Sequence, residues 1–120
     1  MPYEVKKSKE FGYAFEDVYK AAYLCTKALG GKVVLHKPDD KKMHAEMDKK
    51  MQGKVLGDRS HLEFTFVPNN TGGVVVEIFG YPLNAIGQKL MFGARPGVVD
   101  TVIRVMFEEM EKKLQEGLTT

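Results

Sequence analysis

Between Lys32 and Phe79 the chain offers one strand-forming segment after another, joined only by short turn-forming stretches, so no connection is long enough for a helical crossover. Parallel neighbours need a dozen or more connecting residues, whereas antiparallel neighbours close through a few. The run is therefore expected to fold as an antiparallel meander. Lys32 to Lys37 is β-branched-rich and ends at Pro38-Asp39-Asp40, where proline presets φ and the aspartates can bond the backbone. The return strand carries Met43, Ala45 and Met47 on one face and His44, Glu46 and Asp48 on the other. Its pattern resumes at Lys54-Val55-Leu56 after Gly53, which predicts one long strand bent near that glycine. Gly57-Asp58 leads into Ser60 to Val67, where Leu62, Phe64 and Phe66 share a face, and the loop Pro68 to Gly73 leads into Val74 to Phe79.

Two helical stripes flank the meander. Phe15, Val18, Ala22, Cys25 and Leu29 recur at three- and four-residue steps, which predicts a helix over Ala14 to Leu29 with Tyr19, Tyr23 and Leu24 widening its apolar face. Glu16 and Asp17 suit its N-terminal dipole, and Gly30-Gly31 supplies the stop. Near the other end, Val99, Ile103, Met106, Met110 and Leu114 predict a second helix that begins at Pro96 and ends near Gly117. Ahead of the first helix, Tyr3 and Val5 alternate with Glu4 and Lys6, the pattern of a lysine-rich edge strand. The expected fold class is α+β: about five antiparallel strands with two helices on one face, in the order β-α-β-β-β-β-α, within one domain over residues 1–120.

Composition narrows the function classes. Eighteen basic and sixteen acidic residues leave a net charge of +2, too little to attract a polyanion at long range. The single cysteine, Cys25, leaves no second thiol for a disulfide or a CxxC pair and lies on the apolar stripe of the first helix, which points to an inert core residue. The first ten residues lack the apolar centre of a signal peptide, and no run approaches the ~18 apolar residues of a membrane span. Together these predict a cytoplasmic location and no membrane span.

The order of elements, with Val5 in the first strand, Phe15 to Leu29 as the first helix and Pro96 to Glu116 as a gripping helix, resembles the TATA-binding-protein-like and Bet v 1-like (START, helix-grip) domains. The resemblance is one of topology. Helix-grip domains usually carry two short helices after the first strand and more strands, so a single helix and fewer strands imply a shrunken or absent ligand cavity. The resemblance also implies a hydrophobic ligand, a lipid or a protein as the partner.

Gly80 to Gly97 breaks the rhythm with four glycines and two prolines yet keeps a set of apolar side chains. Long irregular segments in compact domains are often functional, so Tyr81, Leu83, Ile86, Leu90, Met91, Phe92 and Arg95 are the candidate contacts for a ligand or partner. Leu83, Ile86 and Leu90 are spaced for a short helix, and Arg95 sits where a helix N-terminus can attract an anion. The same apolar residues would serve equally to cap the core or to join two subunits, and a homodimer is the expected assembly. No catalytic motif, cofactor fingerprint or metal-binding spacing is present. His36 and His44 flank the Pro38 turn, and His44, Glu46 and Asp48 share a face, but nothing brings three ligands to one point, so no metal site is expected. The reading is a non-enzymatic domain that binds a hydrophobic small molecule or a protein, itself included, through the 80–97 loop and a sheet/helix groove. The alternatives are a helix-grip enzyme using Glu77, Tyr81 or Arg95, and a nucleic-acid module using lysine-rich strand edges. Nucleic acid is disfavoured because lysines at strand edges ordinarily discourage aggregation.

Overall fold

Short connectors and alternating strands produce the antiparallel meander, and a computed structural model of the chain describes it over residues 3–90, 92–94 and 97–117. The elements are β1 (Val5–Phe11), α1 (Phe15–Ala28), β2 (Lys32–Lys37), β3 (Lys42–Met47), β4 (Lys50–Met51), β5 (Lys54–Val55), β6 (Arg59–Pro68), β7 (Val74–Leu83) and α2 (Val98–Glu116), with a 3-10 turn at Pro38–Asp40. Five strands form the main sheet in the order β1-β7-β6-β3-β2, every pair antiparallel. α1 carries the chain from β1 at one edge of the sheet to β2 at the other.

Both helices cover one face. Val18, Ala22 and Cys25 of α1 meet the inward residues Met43, Ala45, Leu62, Phe64 and Ile78, while α2 adds Val99, Ile103, Met106 and Met110, all in one buried cluster. Gly80 decides how closely α2 approaches. A Cβ built there would lie 2.8 Å from Val99 Cγ1 and 2.9 Å from Leu62 Cδ2, so the helix rests directly on the strand backbone. The space that a larger inward residue would hold open is taken by the helix, and Phe11, Phe64 and Phe66 with Met43, Met47, Met106 and Met110 are among the largest side chains buried in the interior.

Two expectations fail for identifiable reasons. Residues 43–56 are not one bent strand: β3 ends at Met47, and β4 and β5 form a separate two-stranded hairpin between β3 and β6. Gln52 and Gly53 both adopt positive φ, 54° and 80°, which makes a reversal rather than a bend. β3 then pairs directly with β6, Met47 opposite Ser60. The second failure is the short helix proposed across Leu83, Ile86 and Leu90. β7 runs on through Gly80 and Tyr81 to Leu83, and Asn84 ends it with its side chain, whose Oδ1 accepts from the backbone N–H of Ile86 (3.0 Å) and of Gln88 (2.9 Å). An asparagine that bonds nearby backbone offers those N–H groups an alternative to helical bonding. Leu90 N–H then donates to the Pro82 carbonyl at 2.9 Å, folding the segment back beside the strand.

Candidate functional site

The first two turns of α1 place Phe15, Tyr19 and Tyr23 at four-residue intervals, a row along the margin between the buried stripe and the solvated side. Opposite them, His36 closes edge strand β2. It pairs with the inward-facing Met43, so its ring turns toward the helix. A bulge at Val34 shifts this register, since Val33 faces Ala45 while Leu35 faces His44. The imidazole lies between Tyr19 and Tyr23 with ring centroids 5.4 and 5.3 Å away. Phe66 lies against both Tyr19 and Phe15, at 5.0 and 5.9 Å, and joins the row to the core.

Phe15, Tyr19, Tyr23 and His36, with Glu16, Lys20 and Pro38, line an open groove of about 370 Å³. Small-molecule sites commonly fall between about 300 and 1,000 Å³, with apolar walls and a few placed polar groups. Here the polar groups form a short chain. Tyr19 Oη lies 2.8 Å from His36 Nδ1 and 3.2 Å from the Lys42 carbonyl. The hydroxyl has one proton, and only the carbonyl must receive it. Both bonds are therefore made when His36 Nδ1–H donates to Tyr19 and Tyr19 O–H donates to Lys42. In the neutral ring this tautomer leaves Nε2 as an acceptor. Burial pushes the Tyr19 pKa above its ordinary value, against a lowering backbone hydrogen bond at Lys37, so the phenol stays neutral. Two ammonium groups sit over the outer rings, Lys41 at 5.1 Å from the Phe15 centroid and Lys27 at 4.9 Å from that of Tyr23.

The residues singled out from the sequence are spread over several surroundings. Tyr81 lies on the sheet face away from the helices, stacked on His61 at 4.9 Å with Lys89 5.1 Å from its ring centroid. Lys89 in turn pairs with Glu4. Leu83 is buried, and Leu90 is half-buried beside it in a groove that also includes Arg59 and Asn84. Ile86 and Phe92 are 77% and 85% exposed. Met91 and Arg95 lie outside the described residues. Glu77, named for the enzymatic alternative, is on the outer sheet face within 3.9 Å of Lys6. Cys25 is buried, and burial first, then Glu109, push its thiol up to about 11 against the opposing effect of Lys113.

The three histidines separate. His36 belongs to the groove, whereas His44 and His61 meet edge to face at 5.3 Å on the opposite side of the sheet. His36 and His44 are therefore not neighbours across their hairpin, because the register beside the turn pairs His36 with Met43 and His44 with Leu35, on opposite faces. The β1 lysines face carboxylates: Lys7 reaches Asp100 at 2.8 Å and Lys9 reaches Glu111 at 3.8 Å. That edge is thus a mixed-charge surface. Sequence reading assigned Phe15, Tyr19 and Tyr23 to the core, and the available signal was their four-residue spacing beside Glu16 and Lys20.

No helix of the described residues is long and apolar enough to cross a membrane. No family model matches the chain, and no curated protein matches it in sequence. Solved structures do match in shape. Protein MLL2253 from Mesorhizobium loti aligns with a TM-score of 0.60 at 16% identity, over 94% of this chain and 97% of its own. Ara h 8.0201 aligns with a TM-score of 0.63 at 8% identity, over 96% and 99%. A norcoclaurine synthase point mutant from Thalictrum flavum, in complex with a transition-state analogue, gives 0.58 at 10% identity over 97% and 96%. Matches this complete at such low identity establish a common architecture: the chain has the helix-grip, Bet v 1-like fold.

Proposed function

We propose that this chain is a non-enzymatic binding domain whose groove between α1 and the β2 edge takes a small, flat, largely apolar molecule. The observation that carries the reading is the convergence of Phe15, Tyr19, Tyr23 and His36 on one open groove with a defined hydrogen-bond chain inside it. The aromatic walls favour an aromatic or alicyclic ligand. The free Nε2 acceptor favours one that carries an O–H or N–H donor. Norcoclaurine synthase from Thalictrum flavum, which shares the fold, has been solved in complex with dopamine and hydroxybenzaldehyde, both small aromatic molecules with such donors. In the present chain Val99 and Ile103 of α2 close against Gly80, so the groove beside α1 is the place offered here.

The test is a thermal-shift screen of small phenols, aromatic amines, fatty acids and sterols, followed by chemical-shift mapping. A ligand held only by the folded state at ten times its Kd adds about 1.4 kcal/mol of stability. Binding should perturb Phe15, Tyr19, Tyr23 and His36 and should weaken at least threefold in Tyr19→Phe and His36→Ala. Stabilising compounds that perturb none of these four residues, or a flat screen, would reject the reading.

A second reading rests on Ile86 and Phe92, the two most exposed large apolar side chains among the described residues. Two copies, or a partner protein, would cover them. Light scattering over a range of concentrations tests self-association. A mass fixed at 13.5 kDa throughout excludes the dimer.

A further inference from the structure

The sheet face turned away from both helices brings together three side chains that no single strand pattern places side by side. Period two puts His61 and Glu63 on the same face of β6. The β3/β6 register sets His44 directly opposite Glu63 and Ala45 opposite Leu62, so His44 lies diagonal to His61. One imidazole nitrogen from each histidine and one carboxylate oxygen of Glu63 lie within 4.8 Å of one another. We propose that His44, His61 and Glu63 form a binding site for a divalent transition-metal ion of the zinc type, with at least one coordination position left to water or an exogenous ligand.

The donor set and the spacing both support this. Imidazole nitrogen with one carboxylate suits Zn²⁺, Cu²⁺ and Ni²⁺ better than Mg²⁺ or Ca²⁺, which prefer all-oxygen shells. In a tetrahedral zinc site with bonds of about 2.0–2.1 Å, neighbouring ligand atoms are about 3.3 Å apart. His61 Nε2 and Glu63 Oε2 are 3.2 Å apart, already at that separation. The His44 nitrogen, no more than 4.8 Å from the other two ligand atoms, has to close by at most about 1.5 Å to match the same geometry, within reach of a modest side-chain rotation. Stacking of Tyr81 on His61 and the edge of His44 against the same ring hold the imidazole in place. Such outer contacts restrict the orientation of a ligating ring. The three residues are half-buried, which leaves them open to an ion from solution. The α1 groove shares none of them, and the two sites stand or fall separately.

The test uses the full chain without an affinity tag, titrated with Co²⁺ and then Zn²⁺. One Co²⁺ per chain should bind with the strong visible bands of a four- or five-coordinate ion, and Zn²⁺ should displace it. His44→Ala and His61→Ala should each weaken Co²⁺ binding at least tenfold, Glu63→Gln should weaken it several-fold, and His36→Ala should leave it unchanged. Circular dichroism checks that each variant is folded. Because that control can fail, paramagnetic line broadening by Co²⁺ is also measured on the unaltered protein, where it should centre on His44, His61 and Tyr81. Absence of one-to-one saturable binding, broadening centred elsewhere, or binding that survives both histidine variants while folded would overturn the proposal.

Discussion

Gly80→Ala tests the close approach of α2 to β7 directly. The added methyl would sit 2.8 Å from Val99 Cγ1, 2.9 Å from Leu62 Cδ2 and 3.3 Å from Ile103 Cδ1, whereas carbon atoms rest comfortably at about 3.5–4.0 Å. Two contacts are thus about 0.6–0.7 Å too short, and Val99 is β-branched with little freedom to yield. Overpacking of this kind costs about 1–3 kcal/mol. Losing glycine's freedom in the unfolded chain returns about 0.4–1 kcal/mol. The net expectation is a loss of about 1–2 kcal/mol, read as a urea midpoint lower by about 1 M at unchanged slope. Val99→Ala removes the nearest obstacle, so the cost of Gly80→Ala should fall by at least about 0.5 kcal/mol in that background, a coupling that a double-mutant cycle resolves. A Gly80→Ala midpoint equal to or above the parent's, or the same cost in both backgrounds, would refute the claim that α2 rests against this glycine.

Ser60 is fully buried between Met47 and Pro82 on neighbouring strands, and its hydroxyl has no hydrogen-bond partner, so Ser60→Ala should raise stability by about 1 kcal/mol in the same denaturation assay. Asn69 accepts from Thr71 N–H, Thr71 O–H and Gly73 N–H while donating to Glu10, so Asn69→Ala should cost about 1 kcal/mol. Asn69→Asp keeps the accepting oxygens but sets a carboxylate against Glu10, and its deficit should shrink at high salt. For Cys25 the folded state retains the thiol proton up to about 11, above the ordinary 9.0. Between those values the folded chain binds more protons than the unfolded one, so this contribution to stability is intact below pH 9 and declines as pH rises through the window. Urea midpoints measured at pH 8 and pH 10.5 should fall further in the parent than in Cys25→Ala, and thiol reagents should label the native protein slowly.

The sequence reached the fold because the interior is repetitive. The stripe of Val99, Ile103, Met106, Met110 and Leu114, and the alternation of Leu62, Phe64 and Phe66, are read from one segment at a time, and all eight residues are buried. The errors arose where one side chain or one torsion overrides a pattern. Asn84 diverts two N–H groups, and Gln52 turns left-handed before Gly53. Both histidine assemblies depend on pairing between strands, and here a single bulged residue, Val34, decides which face His36 occupies. Local composition does not register such a shift, because moving the register by one position exchanges the two faces of a strand. The aromatic groove was hidden differently: Phe15, Tyr19 and Tyr23 look like core, and they are core on one side only.

The β4–β5 hairpin leaves the sheet and returns to it without interrupting the pairing of β3 with β6. Its base is fastened by the Lys49 carbonyl, which accepts from Leu56 and Gly57, and Met51 beside the turn is buried, while the tip itself at Gln52-Gly53 is exposed. A fluorophore, spin label or whole inserted module grafted at that tip would report on the molecule, or carry cargo, from a point that neither the groove nor the outer histidines use.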